Sequence, residues 1–173
     1  MGAGRQRSCG RCSKGGGPAA RKRRIEEGLI EADAGASDAY ELFRRGSELL
    51  AAHHAHQAVI VLERARDLQP DKGSVCEALG RAYYATGRLS SAGAQFRRTL
   101  ELDPSNDYAH FGLALCLART GERRHALGHL RLALVMRPGI RAYQRALGPL
   151  ERAVSAEGAP GRGPDSDAGM AGG

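Results

Sequence analysis

The stretch from Cys76 to Pro104 reads CEALGRAYYATGRLSSAGAQFRRTLELDP, and its pattern recurs on both sides at one fixed spacing. Its last residue, Pro104, lies 34 residues after Pro70 and 34 residues before Pro138. A constant period of this length indicates one supersecondary unit copied in tandem. The sequence therefore predicts an array of three similar units.

Other columns keep the same period as the prolines. Aligning the three segments gives two columns of small residues and two of large apolar residues: Gly46, Gly80 and Ala114; Ala58, Ala92 and Ala126; Leu62, Phe96 and Leu130; Leu68, Leu102 and Met136. Small side chains suit positions where two helices approach closely, and large ones suit residues that pack across that approach. This many matching columns exclude coincidence.

The apolar residues within each unit recur at helical spacing, and no segment alternates apolar and polar residues as a strand would. Gly87 and Gly121 suit left-handed helix ends, and each late proline cannot continue the helix before it. The predicted helices lie near residues 38–52, 55–68, 73–86, 89–102, 107–120 and 123–136. The predicted fold class is therefore all-α.

Stacked units leave an apolar face bare at each end, so a terminal helix with one polar face is required. Residues 141–154 supply one, because their apolar side chains share a stripe: Tyr143, Ala146, Leu147, Leu150 and Val154. We expect Pro149 to bend or shorten this capping helix, since proline removes a backbone donor and clashes with the preceding turn. Residues 25–33 are a weaker candidate at the other end.

The middle unit resembles the tetratricopeptide repeat family. It reads Cys76-x2-Leu79-Gly80-x2-Tyr83, then Ala92-x3-Phe96, then Pro104, against the family pattern W-x2-L-G-x2-Y, A-x3-F, P. Only the Trp is missing. The third unit keeps most of the same columns, whereas the first unit departs most. It has Arg45 where an apolar residue is usual, and His53 where the later units have a turn glycine.

The resemblance implies a right-handed superhelical α-solenoid of three helix-turn-helix repeats, at residues 39–72, 73–106 and 107–140, followed by the capping helix. In proteins of this family the first helix of each repeat lines a concave groove that receives a peptide or a partner helix. The corresponding residues here are Tyr40, Phe43, Ser47, Glu77, Arg81, Tyr84, Tyr108, Phe111, Leu115 and Arg119. We therefore expect a protein–protein interaction module or scaffold that binds a partner segment in this groove.

One subtype of the family is not supported. Its chaperone-binding members use Lys and Asn side chains in the groove to clamp a C-terminal carboxylate. Here the matching positions hold Phe43, Ser47 and Glu77. Arg81 and Arg119 could still meet an acidic ligand, and the aromatic residues indicate an apolar anchor. A pair between Glu77 and Arg81 along their helix is the alternative interpretation of those two charges.

Composition divides the 173 residues into one folded domain and two loose ends. The predicted parts are a disordered basic arm at 1–24, a short helix or linker at 25–37, the repeat domain at 38–154 and a disordered tail at 155–173. The tail is rich in Gly, Ala, Pro, Ser and Asp, and such a segment buries too little apolar surface to offset the entropy of ordering it.

The basic arm contains eight Arg or Lys side chains and no carboxylate. Such an arm is attracted to phosphates through counterion release. It has no aromatic residue that could stack on a base. The arm is a candidate for weak polyanion binding. An alternative hypothesis for the chain is therefore a nucleic-acid- or ribosome-associated factor whose repeats recruit a partner.

Cys9 and Cys12 have the spacing of half a zinc site. Zinc needs four ligands, and Cys76 and Cys116 fall inside predicted helices, where buried thiols are ordinary packing. The histidine cluster at 53–56 could complete the site only if the arm folded back onto it. Reduced free thiols are the preferred interpretation, and no metal or cofactor is predicted.

His125 and His129 lie four residues apart on a predicted helix, a spacing that can chelate a metal. No third ligand is obvious, so we expect solvated surface histidines. The sequence has no phosphate-binding Gly-rich loop, no nucleophile elbow and no carboxylate pair in a plausible pocket. The chain is therefore predicted to have no catalytic residues and to be non-enzymatic.

No apolar run approaches the ~20 residues needed to span a bilayer. The basic amino end leads into no apolar core of a secretory signal. We therefore expect a cytoplasmic location and no membrane contact. Arginine greatly outnumbers lysine, which is typical of a GC-rich bacterial genome, so a small bacterial protein is expected. Self-association through the outer faces of the repeats is a further alternative, since no pattern defines the oligomeric state or the partner.

Overall fold

The computed structural model describes residues 37–158, which form seven helices and no strand. The helices are α1 at residues 37–51, α2 at Ala55–Leu68, α3 at Gly73–Ala85, α4 at Leu89–Leu102, α5 at Asp107–Thr120, α6 at Arg123–Met136 and α7 at Arg141–Gly158. The all-α prediction is confirmed. The predicted bounds of α2, α4, α5 and α6 agree with the structure, whereas α1 differs by one residue at each end and α3 by one residue at its end.

Each helix from α2 onward packs against the next one in the chain, and α3 also contacts α5. This pattern is the one expected for repeats that contact only their neighbours. Several sequence predictions concern residues outside the described part: the basic arm with Cys9 and Cys12, the segment 25–33, and the tail beyond Gly158. No helix within residues 37–158 is long and apolar enough to cross a membrane.

The turn inside each repeat has a left-handed residue at the same place. The φ angles are +61° at His53, +78° at Gly87 and +95° at Gly121. The two glycines adopt this conformation freely, whereas a residue with a Cβ is strained there by about 1–2 kcal/mol. The first repeat therefore keeps the turn geometry of the other two although it lacks the glycine.

A close approach of three helices surrounds Phe96 of α4, which is fully buried. A Cβ built on Gly80 of α3 would lie 2.9 Å from the Phe96 ring, and one on Gly112 of α5 would lie 2.5 Å from it. The ring is thus held between two helices that can approach only because both positions lack a side chain. Gly80 was expected from the repeat columns, and Gly112 was not.

Arg45 no longer conflicts with the repeat pattern once its surroundings are known. The equivalent residues Leu79 and Leu113 are buried, since α3 and α5 each pack against a preceding helix. Arg45 belongs to α1, which no helix precedes among the described residues, and its side chain is exposed. The departure therefore places a polar, exposed side chain on α1 at a column that is buried in the later repeats.

The capping helix is longer than predicted. It continues through Pro149 to Gly158, so residues 155–158, which the sequence assigned to the tail, are helical. A proline inside a helix costs about 3 kcal/mol, so other contacts must hold the later turns in place. Arg131 Nη2 bonds Glu151 Oε1 at 2.9 Å, and Arg123 pairs with Glu157. Both pairs tie α7 to α6 after the proline.

The structure also shows that α7 repeats the first helix of a unit. In three successive first helices a side chain at the same 34-residue column reaches the carbonyl oxygen of the proline before it. The pairs are Cys76 Sγ to Pro70 at 3.8 Å, His110 Nε2 to Pro104 at 3.2 Å and Gln144 Nε2 to Pro138 at 2.6 Å. The cap is therefore built like the start of a fourth repeat.

Candidate functional site

Side chains from α3, α5 and α7 form one continuous surface, which we call the aromatic face. It comprises Glu77, Arg81 and Tyr84 of α3, Tyr108, Phe111, Leu115 and Arg119 of α5, and Tyr143 of α7. All but Tyr143 were predicted from the repeat columns. The first helices of successive repeats lie side by side, so residues of the same column are brought next to each other.

Two reciprocal cation–π pairs join α3 to α5. The Arg81 guanidinium of α3 lies 5.5 Å from the ring centre of Tyr108 on α5. The Arg119 guanidinium of α5 lies 5.4 Å from the ring centre of Tyr84 on α3. Both arginines are exposed, and a pair of this kind contributes about 0.5–1 kcal/mol at such sites. Each pair therefore places an exposed arginine against a ring of the neighbouring helix.

The alternative pairing of Glu77 with Arg81 is not what the structure shows. The Glu77 carboxylate accepts a hydrogen bond from Asn106 Nδ2 at 3.0 Å. The Asn106 side-chain oxygen in turn accepts from the backbone N–H of Ala109 at 2.7 Å, and this bond caps α5. Arg81 is therefore left without a carboxylate partner on its own helix.

A row of aromatic rings runs from the core to α7. The ring centres are 6.5 Å apart for Phe96 and Tyr108, 6.2 Å for Tyr108 and Phe111, and 4.5 Å for Phe111 and Tyr143. These separations are those of favourable aromatic pairs. Phe96 is buried and Tyr108 is 36% exposed. The row is therefore anchored in the core by Phe96, and Tyr108 is accessible to a ligand.

A cleft of about 440 Å³ lies at the end of the aromatic face, between α5 and α7. Its lining consists of Glu77, Asn106, Asp107, Tyr108, Phe111, Arg137, Ile140, Ala142 and Tyr143. Asp107 organises one wall, because it accepts the Tyr143 hydroxyl at 2.8 Å and pairs with Arg137 Nε at 3.2 Å. The cleft is apolar at its centre and has polar groups that are already held in position.

The tyrosines of the cleft stay protonated over the physiological range. Burial raises the pKa of Tyr143 far above its ordinary value, and the hydrogen bond to Asp107 raises it further. Burial also raises the pKa of Tyr108, against the opposing effect of Arg81. Both hydroxyls therefore act as neutral donors, with no charge of their own.

Three of the predicted groove residues, Tyr40, Phe43 and Ser47, lie on α1. Tyr40 is 66% exposed. The Ser47 hydroxyl donates to the carbonyl oxygen of Phe43 at 2.9 Å, one turn earlier in the same helix. Within residues 37–158, no cation–π pair or ring pair connects α1 to the aromatic face. Leu115 is half-buried beside the aromatic residues of α5.

Sequence reasoning missed the part of the site that α7 and its preceding turn supply. Tyr143 was assigned only to the apolar stripe of the cap, and Arg137 and Ile140 were not singled out. The signal was present, because Leu147-Gly148 follows Leu113-Ala114 by one repeat period. Extending the period by one more unit would have aligned Tyr143 with Val75 and Ala109, which belong to the first helices of the earlier repeats.

The prediction of solvated histidines is wrong for His129. His110 Nδ1 and His129 Nδ1 are 3.0 Å apart, and the two rings are stacked with centres 5.3 Å apart. If His110 donates its Nε2–H to the Pro104 carbonyl, its Nδ1 is the acceptor for His129. Burial lowers the pKa of His129, so the neutral ring is favoured. His125 is exposed, as predicted.

Comparison with known proteins agrees with this geometry. A family model described as TPR repeat matches residues 80–121. Superkiller complex protein 3 of Mus musculus is 31% identical over 107 residues, which are 62% of this chain and 7% of that protein. The chain therefore spans only about 7% of the length of the curated relative it matches.

Two similar solved structures contain peptides. One is the first TPR of Spaghetti (RPAP3) bound to the HSP90 peptide SRMEEVD, with 14% identity, a TM-score of 0.66, and coverage of 69% of this chain and 95% of that one. The other is the Yersinia enterocolitica type III secretion chaperone SycD with a peptide of the translocator YopD. Its identity is 18%, its TM-score 0.57, and its coverage 68% of this chain and 89% of that one.

The described helices and their period define the class of this molecule as a helical repeat protein. The family model matches residues 80–121, and the fold is similar to that of the TPR domain of Spaghetti (RPAP3). The chain therefore contains a tetratricopeptide repeat within residues 80–121 and has the fold of such repeats.

Proposed function

We propose that this chain is a non-enzymatic protein–protein interaction module whose aromatic face binds a segment of a partner protein. The observation that carries the proposal is the pair of exposed arginines, Arg81 and Arg119, each placed against a tyrosine ring of the neighbouring helix. Aromatic and arginine side chains most often dominate the energetics of protein interfaces. The peptide-bound neighbours support the same use of the fold.

The chemistry of the face favours a segment with one apolar anchor and at least one carboxylate. The cleft between α5 and α7 offers Phe111 and Ile140 to an apolar side chain. The guanidinium groups of Arg81 and Arg119 suit a carboxylate, since their planar donors match its two oxygens. The polar groups of the cleft are already hydrogen-bonded, so little ordering entropy is lost when a ligand arrives.

A carboxylate clamp at the usual family positions does not fit these contacts. The Ser47 hydroxyl is bonded to its own helix, and the Glu77 carboxylate is bonded to Asn106. A ligand carboxylate near Glu77 would meet a like charge. The proposed ligand is therefore recognised by Arg81, Arg119 and the rings rather than by a terminal clamp.

The test is quantitative capture of partners from the native cell by the full chain and by variants of matched charge. We expect Arg81→Gln with Arg119→Gln to reduce capture about tenfold or more, because interface arginines are common hot spots. Arg64→Gln with Arg145→Gln removes two exposed arginines, of α2 and α7, and is the control of matched charge that should leave capture unchanged. Thermal unfolding of each variant shows whether the fold is intact.

A different result would favour the basic arm instead. If the double variant captures partners as well as the wild type does, and deletion of residues 1–24 abolishes capture, the proposal for the aromatic face fails. Polyanion binding by that arm stays a prediction from the sequence, as do the cytoplasmic location and the bacterial origin.

A further inference from the structure

The outer surface of α6 differs from those of α2 and α4 at two columns. In the first two repeats these columns hold charged residues, Arg64 and Asp67 on α2, then Arg98 and Glu101 on α4. Arg98 bonds Glu101 at 2.8 Å and also bonds Asp71 at 2.5 Å. The third repeat has Leu132 and Val135 at the same places.

Leu132 and Val135, together with Met136, form an exposed apolar stripe along α6. Leu132 is 47% exposed, Val135 80% and Met136 39%. Their positions three and four residues apart put them on one side of the helix, together with the exposed Gly128. A single exposed apolar residue needs no explanation, but a contiguous apolar patch is typical of an interaction site.

Gly128 stands in the middle of α6 without a packing reason. A Cβ built on Gly128 meets nothing within 4 Å, whereas one on Gly112 would collide with Phe96. A glycine inside a helix destabilises it by about 0.5–1 kcal/mol relative to alanine. No neighbour within the described residues requires this glycine, and a partner that approaches the helix backbone closely would require it.

Beside the stripe lies a cleft of about 650 Å³. Leu117 and Leu132 provide its apolar lining, and Arg97 and Arg124 stand at its edge with a single carboxylate, Glu122. Two arginines against one carboxylate leave the edge positive. A second copy of this chain would bring the same arginines to the contact, and the whole chain has a net charge of +7. The charge complements an acidic partner.

We propose that the outer surface of α6 is a second docking site, and that its ligand is an acidic amphipathic helix of another protein. The apolar side of that helix packs on Leu132 and Val135, crosses closest at Gly128, and directs Asp or Glu side chains to Arg97 and Arg124. This site is formed by α4, α6 and Leu117 near the end of α5, and it shares no residue with the aromatic face. A chain with both sites can join two partners at once.

The probe is a fluorescein-labelled synthetic helix of about five turns, with Leu at positions i, i+3, i+4 and i+7 and Glu elsewhere. Anisotropy with the full chain should show saturable binding that weakens as salt is added, because the charges are exposed. A control peptide with Lys in place of every Glu should bind about tenfold more weakly or not at all. Equal binding of the two peptides would overturn the proposed charge complementarity.

Variants locate the site. Leu132→Arg with Val135→Glu restores the residues of the second repeat, so it should fold normally and lower the affinity for the acidic peptide about tenfold or more. Gly128→Gln should have the same effect by blocking the close approach. Arg97→Gln with Arg124→Gln should weaken binding and reduce its salt dependence.

The aromatic face supplies the control. Tyr108→Ala with Arg81→Gln should leave the affinity for this peptide unchanged, and loss of binding in that variant alone would overturn the proposal. Sedimentation equilibrium tests whether a second copy of this chain occupies the stripe instead. A wild-type dimer that Leu132→Arg with Val135→Glu converts to monomers would assign the stripe to a second copy instead, and would leave the proposed function of the aromatic face untouched.

Discussion

The second helices of the last two repeats, α4 and α6, agree on their buried side and differ on their outer side. Ala92 and Ala126 are both fully buried, and so are Phe96 and Leu130. At the outer columns, however, α4 has charged residues where α6 has Leu132 and Val135. Packing constrains the buried columns in every repeat, whereas solvent tolerates most residues outside. The outer columns, where the repeats differ, are therefore the positions at which a binding function can be recognised.

The largest expected effect tests the buried side. Phe96→Ala should destabilise the chain by about 3–5 kcal/mol, since it removes a ring that fills the space between α3 and α5. Leu130→Ala should cost less, about 2–4 kcal/mol, because a smaller side chain is removed. Urea unfolding followed by circular dichroism gives both values. A larger loss for Leu130→Ala would contradict the central place of Phe96.

A pair of glycine substitutions distinguishes a packed position from an open one. Gly112→Ala should destabilise the chain by about 1–3 kcal/mol, because the new Cβ overlaps the Phe96 ring. Gly128→Ala should instead stabilise it by about 0.5–1 kcal/mol, since space is open and alanine favours a helix. Opposite shifts in the unfolding midpoint are expected, and shifts of the same sign would refute the distinction.

The turns that precede α2, α4 and α6 each contain a left-handed residue, so the first repeat can be compared with the other two at this position. His53→Gly should stabilise the chain by about 1 kcal/mol, because it relieves a left-handed conformation that a Cβ disfavours. Gly87→Ala at the equivalent turn should destabilise it by a similar amount. Thermal unfolding measures both. No gain from His53→Gly would mean that contacts of the imidazole offset the strain.

The smallest expected effect is on the pH dependence of stability. It concerns the column that holds Gln95 in α4 and His129 in α6. Burial lowers the pKa of His129, and His110, Arg97 and His125 lower it further. The folded state therefore binds fewer protons at this site than the unfolded state does, so stability should fall as the pH drops below the ordinary value of 6.5.

The measurement compares the wild type with His129→Gln, which restores the residue of the second repeat. Between about pH 7.5 and about pH 5.5 the wild type should lose more of its unfolding free energy than the variant does. An equal loss in both proteins would show that other groups cause the pH dependence.

The helices could be predicted from the sequence because each repeat contains residues that mark where its helices begin and end. The spacing of Pro70, Pro104 and Pro138 set the ends of the second helices, and the small and large columns identified the packed sides. Seven of the predicted groove residues lie on α3 and α5, and the family resemblance implied their grouping, since repeats of one length bring equal positions side by side.

The remaining features depend on contacts between residues far apart in sequence. Gly112 gave no sign of its role, because only the position of Phe96 makes a Cβ there impossible. The pairing of His110 with His129, and of Arg81 with Tyr108, depends on which side chains two separate helices bring within reach. Spacing along one helix could not show either pair.

The sequence by itself determined the repeat, the helix order and the buried columns, because periodic packing leaves a periodic trace in residue size. Only the tertiary structure decided that Arg45 faces outward, that α7 continues beyond Pro149 and that Tyr143 completes the aromatic face. Each of these depends on which side chains from other helices surround a position. The period of the sequence aligns equivalent positions, but it does not show those contacts.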